Sequence, residues 1–148
     1  MLDLLFLLSF IVPAPFWLMM LVAPRGAFTR RLLNSYAAFL ILGAMYLFTL
    51  FGALFSTIGQ GGGLNFSSLE ALAQGFAVPS LALVGWIHLV ALDLAGGYWI
   101  LSHAERSSMP VTALRFFLLF TLLAGPFGIF CFVMWRLLTG AARRPARA

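Results

Sequence analysis

Four long apolar runs, set apart by short polar or glycine-rich breaks, account for most of the chain. The first extends from Leu4 to Val22, carries Pro13 and Pro15, and ends at Ala23-Pro24-Arg25. At about 20 residues such a run has the length of a bilayer-crossing helix, and its prolines, which lack a backbone donor, predict a kink. A cleaved signal peptide is the competing reading. The segment ahead of the run holds Asp3 and no Lys or Arg, whereas a signal needs a positive leading region, so the run is read as a retained helix.

A basic linker, Pro24 to Arg31, leads to the second run, about Leu32 to Ser56, and Gly59 to Gly63 with Gln60 among them breaks that helix. The segment from Ser67 to Phe76 is weakly amphipathic, with Ser67 and Ser68 placed to cap it and Glu70 in its first turn. It is too short to span a bilayer and is expected to be interfacial or re-entrant. The third run covers about Pro79 to Leu101, with Pro79 suited to a first-turn position. A polar loop, Ser102 to Pro110, precedes the fourth run, about Val111 to Leu138, which Gly125-Pro126 should kink. A re-entrant pair of half-helices around Gly125-Pro126 is the alternative for this run. The expected architecture is all-α, an integral membrane bundle of about four transmembrane helices forming a single domain over residues 1–140. A disordered basic tail over 141–148 follows it. No internal repeat is present.

Composition agrees with this class. Hydrophobic residues make up 63% of the chain and charged ones 9%, too few to cover a water-soluble surface. The lone Cys131 excludes an internal disulfide and a cysteine-rich metal site. The net charge of +5 comes from nine Arg and no Lys, mostly at the ends of apolar runs. That placement points to anionic lipid headgroups as partners and gives no nucleic-acid patch. With the first residue outside, five Arg fall on one side and four on the other, so the charge bias does not set the orientation.

Ionisable side chains inside membrane segments cost roughly 2.5 to 3.5 kcal/mol each on insertion scales and are functional candidates for that reason. Two occur near the middle of the third run, His88 and Asp93. At about 100° per residue, Trp86, Val90, Asp93 and Gly97 share one face while His88, Ala95 and Trp99 share the other. Neither face suits lipid, so this helix is expected to be the most enclosed, with Gly96 and Gly97 letting a neighbouring helix or a flat ligand approach the backbone. His88 and Asp93 rise only about 7.5 Å apart but point about 140° from one another, so they are not expected to hydrogen-bond directly. Asp93 in apolar surroundings suits the role of proton donor. The structural alternative pairs it with Asn34, Thr49 or a buried water, and makes His88 a buried histidine with one partner. Trp86 and Trp99 are candidate walls for a flat apolar ligand, with Arg25 at a site mouth or on headgroups.

No metal or other cofactor is implied. His88 and His103 lie 15 residues apart, roughly 22 Å along one helix, and cannot share an ion. No nucleophile elbow, phosphate loop or dinucleotide fingerprint appears.

Several stretches in order resemble the abscisic acid-deficient-four-like family, whose plant members are neoxanthin synthases of the plastid. They are Pro15-Phe16-Trp17 through Val22-Ala23-Pro24 with Thr29-Arg30-Arg31 and Ser35, then Trp86 through Leu94 with its Trp-Ile-His…Asp block, then Leu118-Leu119-Phe120 and Gly125-Pro126-Phe127-Gly128-Ile129. The resemblance implies a four-helix membrane protein acting on carotenoids, in plants by opening a 5,6-epoxide of violaxanthin to the allenic neoxanthin. That isomerisation needs one proton delivered to the epoxide oxygen and one removed from the polyene, without redox chemistry. Asp93 as acid and His88 as base or orienter fit the demand. The chain begins directly with its first helix, and its Arg-rich, Lys-free usage points to a GC-rich bacterium, where it would lie in the cell membrane and the ligand would be another carotenoid or isoprenoid. The second reading is a non-catalytic pigment- or lipid-binding subunit or assembly factor. A homo-oligomer is compatible with either.

Overall fold

A computed structural model describes residues 1–58, 65–104 and 109–139. The glycine break at 59–63, Glu105 and Arg106 of the polar loop, and the basic tail at 141–148 lie outside the described residues. The described chain is all-α, with seven helices and no strand. Four segments are long and apolar enough to cross a bilayer, Leu2–Val22, Ala27–Ser56, Pro79–Ala104 and Val111–Leu138, and the protein is a multi-pass membrane protein.

The first segment is two helices, α1 (Leu2–Ile11) and α2 (Ala14–Val22). The break falls at Val12-Pro13, where Pro13 offers no N–H to the preceding turn, and Pro15 fits inside the first turn of α2. The second segment corrects the sequence reading. Most of the basic linker is itself helical, α3 (Ala27–Asn34), and the run expected to be continuous from Leu32 is interrupted at Ser35-Tyr36 before α4 (Ala37–Ile58). The cause is local. Thr29 and Leu33, one turn apart, are buried while Arg30 and Arg31 are exposed, which gives α3 its own amphipathic face. Asn34 and Ser35 then stop it: the Ser35 hydroxyl donates to the Leu32 carbonyl at 2.6 Å, and Tyr36 takes a left-handed φ of 54°.

Helix α5 (Leu69–Phe76) starts at Ser68, whose hydroxyl accepts from the Ala71 N–H at 3.1 Å. Pro79 opens α6 (Pro79–Ala104). Helix α7 (Val111–Leu138) carries non-helical backbone at Ala124, φ −156° and ψ 68°, one residue ahead of Gly125-Pro126.

Two units divide the chain. The first holds residues 1–12 and 38–91, the second residues 13–37 and those from 92 onward. In the first, Leu81 and Val84 of α6 pack with Ala53 of α4, flanked by Tyr46 and Leu50. In the second, glycines set the spacing. A Cβ at Gly97 of α6 would stand 2.6 Å from the Trp17 ring of α2, and one at Gly96 would stand 2.7 Å from Ile129 of α7.

Candidate functional site

Asp93 lies on the second-unit part of α6 and is half-buried. Its carboxylate rests against the backbone of α7 at Gly125, so close that a Cβ there would overlap the Oδ1 oxygen and stand 2.8 Å from Cγ. The closeness has two sources in the sequence. Gly125 presents no side chain, and Pro126 withholds the N–H that would pair with the Leu122 carbonyl, so α7 opens at this level. Nearby, the backbone of Thr121 approaches Gly128 so tightly that no side chain fits there either, and the buried Thr121 hydroxyl donates to the Phe117 carbonyl at 2.8 Å.

Among the described residues, no hydrogen bond or ion pair falls on the Asp93 carboxylate. The two side chains expected as alternative partners are directed elsewhere. Asn34 Oδ1 accepts from the Tyr98 hydroxyl at 3.4 Å, and the Thr49 hydroxyl turns back to the Met45 and Tyr46 carbonyls of its own helix. An acid with no protein donor, set in an apolar span beside an opened helix, is free to exchange a proton with a bound ligand.

The other sequence candidates have separate surroundings. His88 belongs to the first unit and is exposed, its ring beside that of Tyr46 with centroids 5.7 Å apart. The third segment is the most buried of the four, as expected, yet His88, Leu89, Leu92 and Trp99 on it are all exposed, so its two faces are not both enclosed. Histidine and tryptophan bear such exposure because each pairs a polar edge with an apolar body. The indole of Trp99, in the second unit, packs on His103 and edge-on against Phe132, with centroids 4.5 and 5.4 Å away. Trp86, in the first unit, donates its indole N–H to the fully buried Ser9 hydroxyl at 2.9 Å, which donates in turn to the Phe6 carbonyl. Gly97 is covered by Trp17 and Met20 of α2.

Arg25, a candidate for the site mouth, places its guanidinium on the Met109 carbonyl, ahead of α7. Arg115 does the converse, reaching from α7 to the Val22 carbonyl at the end of α2. These reciprocal bonds tie the end of α2 to the start of α7 within the second unit. Thr29 adds a third tie, its buried hydroxyl donating to the Ala23 carbonyl at 2.6 Å.

Sequence reasoning did not find Gly125 as the neighbour of Asp93. Its only signal was the Gly-Pro pair, read as a kink. Among the described residues, no group of three or more His, Cys, Asp or Glu side chains gathers to hold a metal ion.

Neither the curated proteins nor the solved structures provide a match to the chain. A protein family described as ABA4-like, ABA DEFICIENT 4-like, matches it over residues 4–132, a stretch that contains Trp17, the Trp86 to Asp93 block and the Gly125-Pro126 opening. The chain belongs to the ABA DEFICIENT 4-like family.

Proposed function

We propose that the protein is a small membrane isomerase acting on a carotenoid or another isoprenoid, with Asp93 as its proton donor. One observation carries this reading: the Asp93 carboxyl sits inside an apolar span with no protein donor or counter-ion on it among the described residues. A carboxyl kept only to hold helices together would be expected to spend its hydrogen bonds on neighbouring side chains.

The chemistry needs little else. A proton from Asp93 goes to the substrate oxygen, the carbon–oxygen bond opens to a hydroxyl, and a proton leaves the polyene as the new double bond forms. Atoms and electrons balance without an oxidant or reductant. His88 is the candidate acceptor for the departing proton or an orienter of the substrate. Of the residues expected to bind substrate, Trp99 shares the second unit with Asp93 and is the candidate, whereas Gly97 is covered by Trp17 and Met20 and Trp86 belongs to the first unit. Arg25, an exposed residue bonded to a main-chain carbonyl, supports the second unit and has further guanidinium N–H groups with which to meet a lipid headgroup. In a bacterial host the protein would lie in the cell membrane.

Purification in detergent from a carotenoid-producing host, with the absorption spectrum taken beside Asp93→Asn and His88→Ala, tests the reading. Co-purified pigment whose chromophore is altered by the wild type and left unaltered by Asp93→Asn supports it. Pigment that is bound and unaltered in all three replaces it with a non-catalytic pigment-binding subunit, and no pigment at all removes the carotenoid inference.

A further inference from the structure

The first unit contains a cleft of about 400 Å³ where α1 and α6 begin. Its walls are apolar: Phe6 on one side and Pro79, Ala82, Leu83 and Trp86 on the other. Asp3 is the one charged side chain lining it. The volume falls within the range of small-molecule sites.

Three observations define what would fit. The cleft has an apolar depth, since Pro79 and Trp86 are seven residues apart on a helix, about 10 Å along its axis. Its inner end is aromatic. Trp86 meets Phe6 and Phe10 with centroids 5.9 and 5.3 Å away, and its N–H is committed to Ser9, so the indole offers a ligand its π-face and no donor. Its outer end is a carboxylate with no hydrogen bond or ion pair on it among the described residues. No Arg or Lys belongs to residues 1–12 or 38–91, so this unit offers the Asp3 carboxylate no Arg or Lys side chain as a counter-ion. A carboxylate at the mouth of an aromatic-walled slot, with no side-chain cation in its unit, selects a positive charge.

We propose that this cleft binds an amine-headed amphiphile, its ammonium on the Asp3 carboxylate and its apolar chain along Leu83 and Phe6 towards Trp86. The site belongs to the first unit and stands apart from the proton chemistry assigned to Asp93.

The test uses the full chain in neutral phosphatidylcholine nanodiscs and a photoreactive diazirine derivative of dodecylamine, with labelled peptides identified by mass spectrometry. Residues 1–12 and 79–91 are expected to be the preferred labelled segments. Asp3→Ala, an exposed first-turn position, should lower that labelling about tenfold, the order expected for one lost charge-assisted contact. Ala82→Trp, which fills the cleft, should lower it as far. Unlabelled dodecylamine should compete, and dodecanol and dodecanoate, with the same chain but neutral or negative heads, should not. Labelling unchanged by Asp3→Ala, or competed equally by dodecanol, would overturn the proposal. So would labelling spread evenly over all the helices, the result of simple partition into the bilayer.

Discussion

A methyl group at Gly125 probes the contact on which the candidate site depends. With Gly125→Ala the new Cβ overlaps the Asp93 carboxylate, so either the carboxylate rotates away or α7 moves. Overpacking of this kind typically costs about 1–3 kcal/mol, and the helix propensity gained on replacing glycine returns about 0.5–1 kcal/mol. A net loss of about 1–2 kcal/mol is expected. Gly43 and Gly52 of α4 are the internal references, since a Cβ at either meets nothing within 4 Å. Their alanine variants should be neutral or stabilised by up to about 1 kcal/mol. The decisive comparison is the double-mutant cycle with Asp93→Ala, because the propensity gain at residue 125 enters both arms and cancels. If the collision is with the carboxylate, Asp93→Ala relieves it, and the cycle should return a coupling of about 1 kcal/mol or more. Unfolding in bicelles, followed by titration with a denaturing detergent, supplies the four stabilities. A Gly125→Ala variant that behaves like Gly52→Ala, or a cycle that closes to zero, would refute the placement of Asp93 against the α7 opening.

Other outcomes follow from the same geometry. Asp93→Ala should unfold at a higher detergent fraction than wild type while losing any substrate conversion, because it removes a polar group that has no hydrogen-bond partner among the described residues and whose insertion costs about 2.5–3.5 kcal/mol on translocon scales; a destabilised variant would show that the carboxylate holds the fold. Ser9→Ala strands the Trp86 indole N–H and should cost about 1–3 kcal/mol, visible as a changed Trp emission together with a lowered unfolding midpoint. Thr29→Val removes the buried bond to the Ala23 carbonyl and should cost about 1 kcal/mol in the same titration. Arg25→Met deletes the tie to the Met109 carbonyl, so hydrogen exchange at residues 109–114 should accelerate while α4 is unaffected.

Much of the secondary structure was legible because its signals are local. Bilayer-length apolar runs, the proline pair at 13 and 15, the Gly125-Pro126 interruption, the Ser68 cap and Pro79 in a first turn each act within a few residues of where they stand. The error in the second segment was also local: helix-compatible Arg30 and Arg31 were read as a linker, and the left-handed turn at Tyr36 carries no glycine to announce it.

The site was legible only in its ionisable residues. Hydropathy located His88 and Asp93, since charge inside an apolar run is conspicuous whatever the fold. It did not tell which of them faces a protein neighbour. Segments such as α1, α4 and α7 are apolar on nearly every side, so no polar stripe marks the surface that turns inward, and in lipid the small residues that let helices approach become the guide. The contacts that define the surroundings join residues far apart in the chain, Trp86 to Ser9, Arg25 to Met109 and Asp93 to Gly125. Sequence alone therefore determined that this is an all-helical membrane protein with two ionisable residues, His88 and Asp93, near the middle of its third apolar run. Tertiary packing decided that Asp93 meets a glycine and, among the described residues, no donor, that His88 is exposed, and that Arg25 ties down a carbonyl, because these depend on helix rotation, which an apolar run does not encode.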